Sequence, residues 1–150
     1  YVDLSWKSNQ ALGIGEFAIE FCKSKEALDP KVLERVKLFH TDSVICGISA
    51  IGLKTRAPNL LWDEALNDYP VSATAQKSGK HVGKVFGSNK LVSVEKAIVA
   101  NSSAVWEWDS NGTVFGYNPH KPTHQAGEFG HNDFYPVVVA AALNNPKIDG

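Results

Sequence analysis

Most side chains in this sequence that could perform chemistry are concentrated in residues 104–142. The stretch begins as a helix-compatible run, continues as a loop rich in glycine, histidine and carboxylates, and ends in an apolar run. Carboxylates and imidazoles are the groups that most often transfer protons in enzymes. The candidates are Asp109, Asn111, Thr113, His120, His124, Glu128, His131, Asp133 and Tyr135.

The first candidates flank an Asn111-Gly112 turn at the end of a predicted helix. Asp109 could orient a substrate hydroxyl or transfer a proton, and Thr113 could donate a hydrogen bond to a substrate carboxylate. The alternative is structural, with Asp109 closing an Asx-turn and Thr113 bonding to the loop backbone. Residue types alone favour this structural interpretation, because such turns are common.

The second group is His131-Asn132-Asp133, which immediately precedes an apolar helical run. The exposed N–H groups at a helix N-terminus carry partial positive charge, which lowers the pKa of a nearby histidine. A neutral His131 could then act as a base or bind an anionic substrate, and the N–H groups could bind a carboxylate. Alternatively, Asn132 or Asp133 caps the helix and His131 packs in the loop. The two interpretations are equally supported by these residues.

The histidines at 120, 124 and 131, with Glu128 or Asp133, could be drawn as a metal site. A proline separates the first two histidines, so they need not share one helical face. The spacing matches no standard ligand set, and no metal site is predicted.

Length and composition indicate one globular domain. The chain has 150 residues, 43% hydrophobic and 21% charged, with a net charge of -1. A near-neutral chain lacks the basic footprint of nucleic-acid binding, so no nucleic-acid partner is predicted. No apolar run reaches the roughly 18 residues that a membrane span requires, so no membrane partner is predicted either.

The two cysteines indicate the compartment of the protein, and the absence of methionine indicates whether the chain is part of a longer one. Cys22 and Cys46 both lie in apolar helical patterns and are predicted to be buried, reduced thiols of an intracellular protein, although a single bridge between them stays open. The lack of even an initiating methionine predicts a piece of a longer chain. Part of a larger helical core would then be uncovered, so we expect an exposed apolar face.

The spacing of apolar residues and the helix-boundary and turn residues predict a mainly α fold with one short β-hairpin. Asp29-Pro30 is a helix-start signal, and Pro58 and Pro70 are expected to bound a short helix. Alternation around Gly87-Ser88-Asn89 predicts the hairpin, while residues 71–79 are expected to form a loop. The predicted helices are 11–23, a long segment from 30 to 52, 60–66, one from 93 through 106, and 134–143.

Several segments together resemble the MmgE/PrpD family, which includes 2-methylcitrate dehydratase and cis-aconitate decarboxylase. The most specific are EWDSNGTVFGY at 107–117 and GEFGHNDFYP at 127–136. LERVKLFHTD at 33–42 is similar to the family's second helix, and VFGSNKLVSVEKAIVAN at 85–101 to its hairpin and the following helix. The resemblance covers about residues 11–143.

The resemblance implies a fold and a site. Family members have a large all-helical domain and a smaller α+β lid and commonly form homodimers, so residues 1–150 would be the N-terminal part of the helical domain. Asp109, Thr113 and His131 fall on the family's active-site aspartate, threonine and histidine. The family uses no metal or other cofactor. The loop between Thr113 and His131 is longer than in the decarboxylase branch, and Gly-His-Asn-Asp replaces its His-Pro type of sequence.

The expected activity is therefore that of a carbon–oxygen lyase dehydrating a small tricarboxylate, 2-methylcitrate. Asp109 and His131 would be catalytic, and Thr113, Asn111 and Asn132 would bind substrate. A cis-aconitate decarboxylase and a non-catalytic helical binding or assembly module are the alternatives. The resemblance also implies a homodimeric parent protein in the mitochondrial matrix or the bacterial cytoplasm, active in propionate catabolism.

Overall fold

The computed structural model describes residues 7–24, 28–108, 113–114, 120, 128–129 and 134–145, with 113–114 and 128–129 described by their backbone alone. The chain divides into two compact units, Tyr1–Glu34 and Arg35–Gly150. The described buried residues all belong to the second unit.

The protein is mainly α-helical, which confirms the predicted fold class. The described residues form six helices and two antiparallel pairs of short strands, one of which is the predicted hairpin. The helices are α1 (Gln10–Lys23), α2 (Pro30–Gly52), α3 (Arg56–Asp68), α4 (Ala73–Lys77), α5 (Val94–Trp106) and α6 (Tyr135–Asn144). The strands are β1 (Val82–Gly83), β2 (Val92–Ser93), β3 (Thr113–Val114) and β4 (Glu128–Phe129).

Helix α1 begins with a side-chain cap and has no buried residue. The Asn9 Oδ1 accepts a hydrogen bond from the backbone N–H of Leu12 at 3.2 Å. Its apolar side chains are exposed, with Ile14 at 68%. The prediction that Cys22 is buried is therefore wrong, because helical periodicity identifies an apolar stripe but not what covers it. Cys46 is buried as predicted, and both cysteines are free thiols.

Helix α2 starts at the predicted signal. The Asp29 Oδ1 accepts a hydrogen bond from the backbone N–H of Lys31 at 2.9 Å, and Pro30 is the first helical residue. The buried side of α2 consists of small residues at helical spacing, which lets neighbouring groups approach its backbone closely. These residues are Ser43, Cys46, Gly47 and Ala50.

Helix α3 begins earlier than predicted, because Pro58 does not stop it. Pro58 is the third residue of the helix, where its missing N–H would have no intrahelical partner anyway. Lys54, with φ of 57°, ends α2 in a left-handed conformation, and the Thr55 hydroxyl donates to the Ala50 carbonyl at 3.1 Å. A tight connection between α2 and α3 results.

The predicted loop at 71–79 contains the short helix α4. The Ser72 hydroxyl accepts a hydrogen bond from the backbone N–H of Ala75 at 3.1 Å, which caps the helix. Gly79 follows with φ of 92°, a conformation that favours glycine. The serine cap in a polar segment was the missed signal.

The hairpin strands pack on α3 and α5 to form the core of the second unit. Val82 pairs with Ser93, and Gly83 pairs with Val92, in antiparallel register. Leu61 and Trp62 pack against this core, and the Trp62 indole N–H donates to the Phe86 carbonyl at 2.7 Å. The core residues are Ala65, Leu66, Val85, Val92, Ala97 and Ala100.

Large apolar side chains are exposed in both units, as expected from the sequence. In the second unit they include Ile45 at 61% and Val138 at 66%. Within the described part of the chain, no single helix is long and apolar enough to cross a membrane. Helices α2 and α3 meet the length and composition criteria only as a pair, and that pair is bent by 88°.

Candidate functional site

The paired strands β3 and β4 bracket the segment that contains His120 and His124, and the other candidate residues lie in these strands or outside them in the sequence. Thr113 pairs with Phe129 and Val114 with Glu128, in antiparallel register. In an antiparallel pair, the start of one strand and the end of the other lie at the same end of the sheet. Thr113 and Phe129 are therefore neighbours at one end of this two-stranded sheet.

Four predicted site residues, Asp109, Asn111, His131 and Asn132, lie outside the described residues. Thr113 is described through its backbone in β3. In the sequence, Asp109 comes four positions before Thr113, and His131 comes two positions after Phe129. The segments that hold the predicted catalytic pair thus connect to the same end of the sheet.

Tyr135 is the candidate with the clearest side-chain environment. Its hydroxyl forms a short hydrogen bond with the His40 Nδ1, and the two rings pack edge to face with centroids 5.3 Å apart. Partial burial raises the pKa of the Tyr135 hydroxyl. The pair joins the start of α6 to the middle of α2 across 95 positions of sequence. Nothing in the local pattern around His40 indicated this partner.

The remaining histidines do not assemble a metal centre within the described residues. His120 is an exposed turn residue, and His124 lies outside the described part of the chain. Among the residues whose placement is described, no group of three or more His, Cys, Asp or Glu side chains is arranged to hold a metal ion.

Asn101, which is buried, and Asn144, which is half-buried, bind the backbone of the hairpin. The Asn101 Oδ1 accepts from the Phe86 N–H at 3.0 Å, and its Nδ2 donates to the Lys84 carbonyl at 2.9 Å. Asn144 binds the N–H and carbonyl of Val82 in the same way. Each side-chain amide forms the hydrogen bonds that a neighbouring strand would otherwise form. Backbone N–H and carbonyl groups in the interior therefore keep hydrogen-bond partners. Neither asparagine was recognised from the sequence.

Helices α5 and α6 line a small, partly open cavity beside Asn101. Its volume is about 130 Å³, and Asn101 forms part of its wall. The other described lining residues are apolar except Lys84, and none of them is acidic. The lining residues are Lys84, Ala97, Ile98, Asn101, Pro136, Val139, Ala140 and Leu143.

Comparison with known proteins gives no relative from which a role could be transferred. No family model, no curated protein and no solved structure matches the chain.

Proposed function

We propose that the chain is the N-terminal part of an all-helical MmgE/PrpD-type domain and contributes to a lyase that dehydrates 2-methylcitrate. The observation that supports this most directly is the β3–β4 register, because Thr113 and Phe129 share one end of the sheet. The segments leading to Asp109 and His131 both start from that end. A base and an acid that act on one substrate must lie close together, and starting from a shared end of the sheet would allow this.

The proposed reaction removes a proton and a hydroxyl group from adjacent carbons. A base takes the proton from the carbon next to a carboxylate, the electron pair forms the double bond, and an acid protonates the leaving hydroxyl to give water. Asp109 and His131 together handle these two protons. Thr113, Asn111 and Asn132 donate hydrogen bonds that hold the substrate carboxylates.

The Tyr135–His40 pair, at the start of the helix that follows the loop, also supports the proposal. Tyr135 lies four positions after His131, and its hydrogen bond to His40 fixes the start of α6. A fixed helix start limits where the residues just before it can lie, and catalytic groups need such support from packed elements. The resemblance further proposes a homodimer without a metal or other cofactor, in the mitochondrial matrix or the bacterial cytoplasm.

The test is product analysis by NMR. The whole protein that contains this chain is mixed separately with 2-methylcitrate, citrate and cis-aconitate. We expect an unsaturated tricarboxylate from 2-methylcitrate, and a loss of at least about a hundredfold in His131→Ala and Asp109→Asn. The exposed residues His81 and Asp63 supply matched controls, His81→Ala and Asp63→Asn, which should retain activity. Full activity in both site variants would refute the assignment of the catalytic pair.

A second candidate function is a non-catalytic binding or assembly module, favoured by the exposed apolar residues of α2 and α6. That function predicts no turnover of any of the three acids by the whole protein. Itaconate and carbon dioxide from cis-aconitate would instead identify a decarboxylase, which needs the same carboxylate-binding groups.

A further inference from the structure

The cavity between α5 and α6 has the size of a small organic ligand. An apolar protein cavity of about 150 Å³ can hold benzene, so a cavity of about 130 Å³ accommodates a chain of a few carbons. Ile98, Val139 and Leu143 supply large apolar side chains to its wall. Apolar walls of this kind favour a hydrocarbon over water.

One part of the wall is polar, and among the described lining residues Lys84 alone carries a charge. The Asn101 Nδ2 donates to the backbone carbonyl of Lys84 at 2.9 Å, so the Lys84 side chain starts from a residue held beside the Asn101 amide. An amide NH₂ group has two N–H donors, and only this one is used in the described hydrogen bonds of Asn101. The Lys84 side chain is exposed and has no ion-pair partner among the described residues. Both groups are donors, and a carboxylate is the acceptor that suits them.

We propose that this cavity binds a short-chain monocarboxylate of about three to five carbons. The hydrocarbon chain lies among Ile98, Val139 and Leu143, and the carboxylate lies beside the Asn101 amide and Lys84. The site involves neither Asp109 nor His131 and does not depend on the proposed lyase activity.

The proposal is tested by NMR titration of the ¹⁵N-labelled protein with butyrate, n-butanol and n-butylammonium at constant ionic strength. Butyrate should shift the amide signals of the cavity-lining residues in a saturable way, with a Kd on the order of 1 mM. n-Butylammonium, which has the same chain and the opposite charge, should not. Octanoate should bind more weakly than butyrate, because its chain exceeds the cavity.

Lys84→Gln removes the charge and should weaken butyrate binding about five- to tenfold while leaving n-butanol binding unchanged. Lys80→Gln is the matched control, because Lys80 is also exposed and does not line the cavity. An unchanged urea midpoint in both variants excludes misfolding. Equal shifts from butyrate and n-butylammonium, or equal weakening by the two substitutions, would overturn the proposal.

Discussion

Asn144 pairs with Val82 as a neighbouring strand would. Its Oδ1 accepts from the Val82 N–H at 2.8 Å, and its Nδ2 donates to the Val82 carbonyl at 2.7 Å and to the Ala140 carbonyl at 2.7 Å. One side chain at the end of α6 thereby completes the outer edge of β1. Val82 is fully buried, so no water could replace these bonds.

Asn144→Leu should lower the free energy of unfolding by about 2–4 kcal/mol, because it leaves the buried Val82 N–H and carbonyl without partners. The adjacent residue offers a control. The Asn145 Nδ2 donates only one exposed hydrogen bond, to the Ala141 carbonyl, so Asn145→Leu should cost less than about 1 kcal/mol. Urea unfolding followed by circular dichroism gives both values. Equal losses would mean that the Val82 bonds contribute nothing specific.

Gly47→Ala should destabilise the protein by about 1–3 kcal/mol through overpacking. A Cβ at Gly47 would lie 2.5 Å from the Phe86 Cε2. The Phe86 backbone is held by hydrogen bonds from its N–H to Asn101 and from the Trp62 indole to its carbonyl, so its ring can make room only by turning about its own side-chain bonds. Gly52, in the same helix, has no atom within 4 Å of such a Cβ, and Gly52→Ala should be neutral or stabilising. Thermal unfolding of both variants measures these changes in stability. A stabilised Gly47→Ala variant would contradict the close approach of the Phe86 ring to Gly47.

The Tyr135 hydroxyl should ionise above the ordinary tyrosine pKa of about 10, because partial burial disfavours the phenolate. A raised folded-state pKa means that the associated stability is present below pH 10 and is lost as the pH rises through the folded pKa. Ultraviolet titration of phenolate absorbance, with Tyr135→Phe subtracted, isolates this group. His40→Ala should shift the Tyr135 pKa back towards the ordinary value, because the imidazole covers the phenol ring. An ordinary pKa in the unsubstituted protein would show that the phenol is fully hydrated.

Local signals in the sequence were sufficient for most helices and insufficient for the contacts between them. The Asp29-Pro30 start of α2 depends on neighbouring residues only and was predicted correctly. The burial of Cys22 depends on whether another element covers α1, which periodicity does not encode, and its prediction was wrong. Pro58 is a third case, because proline fits the first turn of a helix as well as the position after a helix, and its presence alone does not fix where α3 begins.

The candidate site was predicted from residue types and resemblance, and the roles of Asp109 and His131 stay a prediction. Contacts between residues far apart in the sequence could not be predicted either. His40 meets Tyr135 across 95 positions, and Asn144 meets Val82 across 62. Such pairs depend on how helices pack. The residues next to a single asparagine or histidine in the sequence do not indicate its distant partner.

The distance in sequence between Val82 and Asn144 also has a consequence for protein synthesis. At about 5–20 residues per second, a ribosome needs roughly 3 to 12 s to add the 62 positions that separate them. Once β2 has been added, the nascent chain can pair β1 with β2 and still lacks the amide that completes the outer edge of β1. An unpaired strand edge is a template for association with another chain. We therefore expect slow translation of residues 83–144 to reduce the soluble yield, and Asn144→Leu to reduce it at any speed.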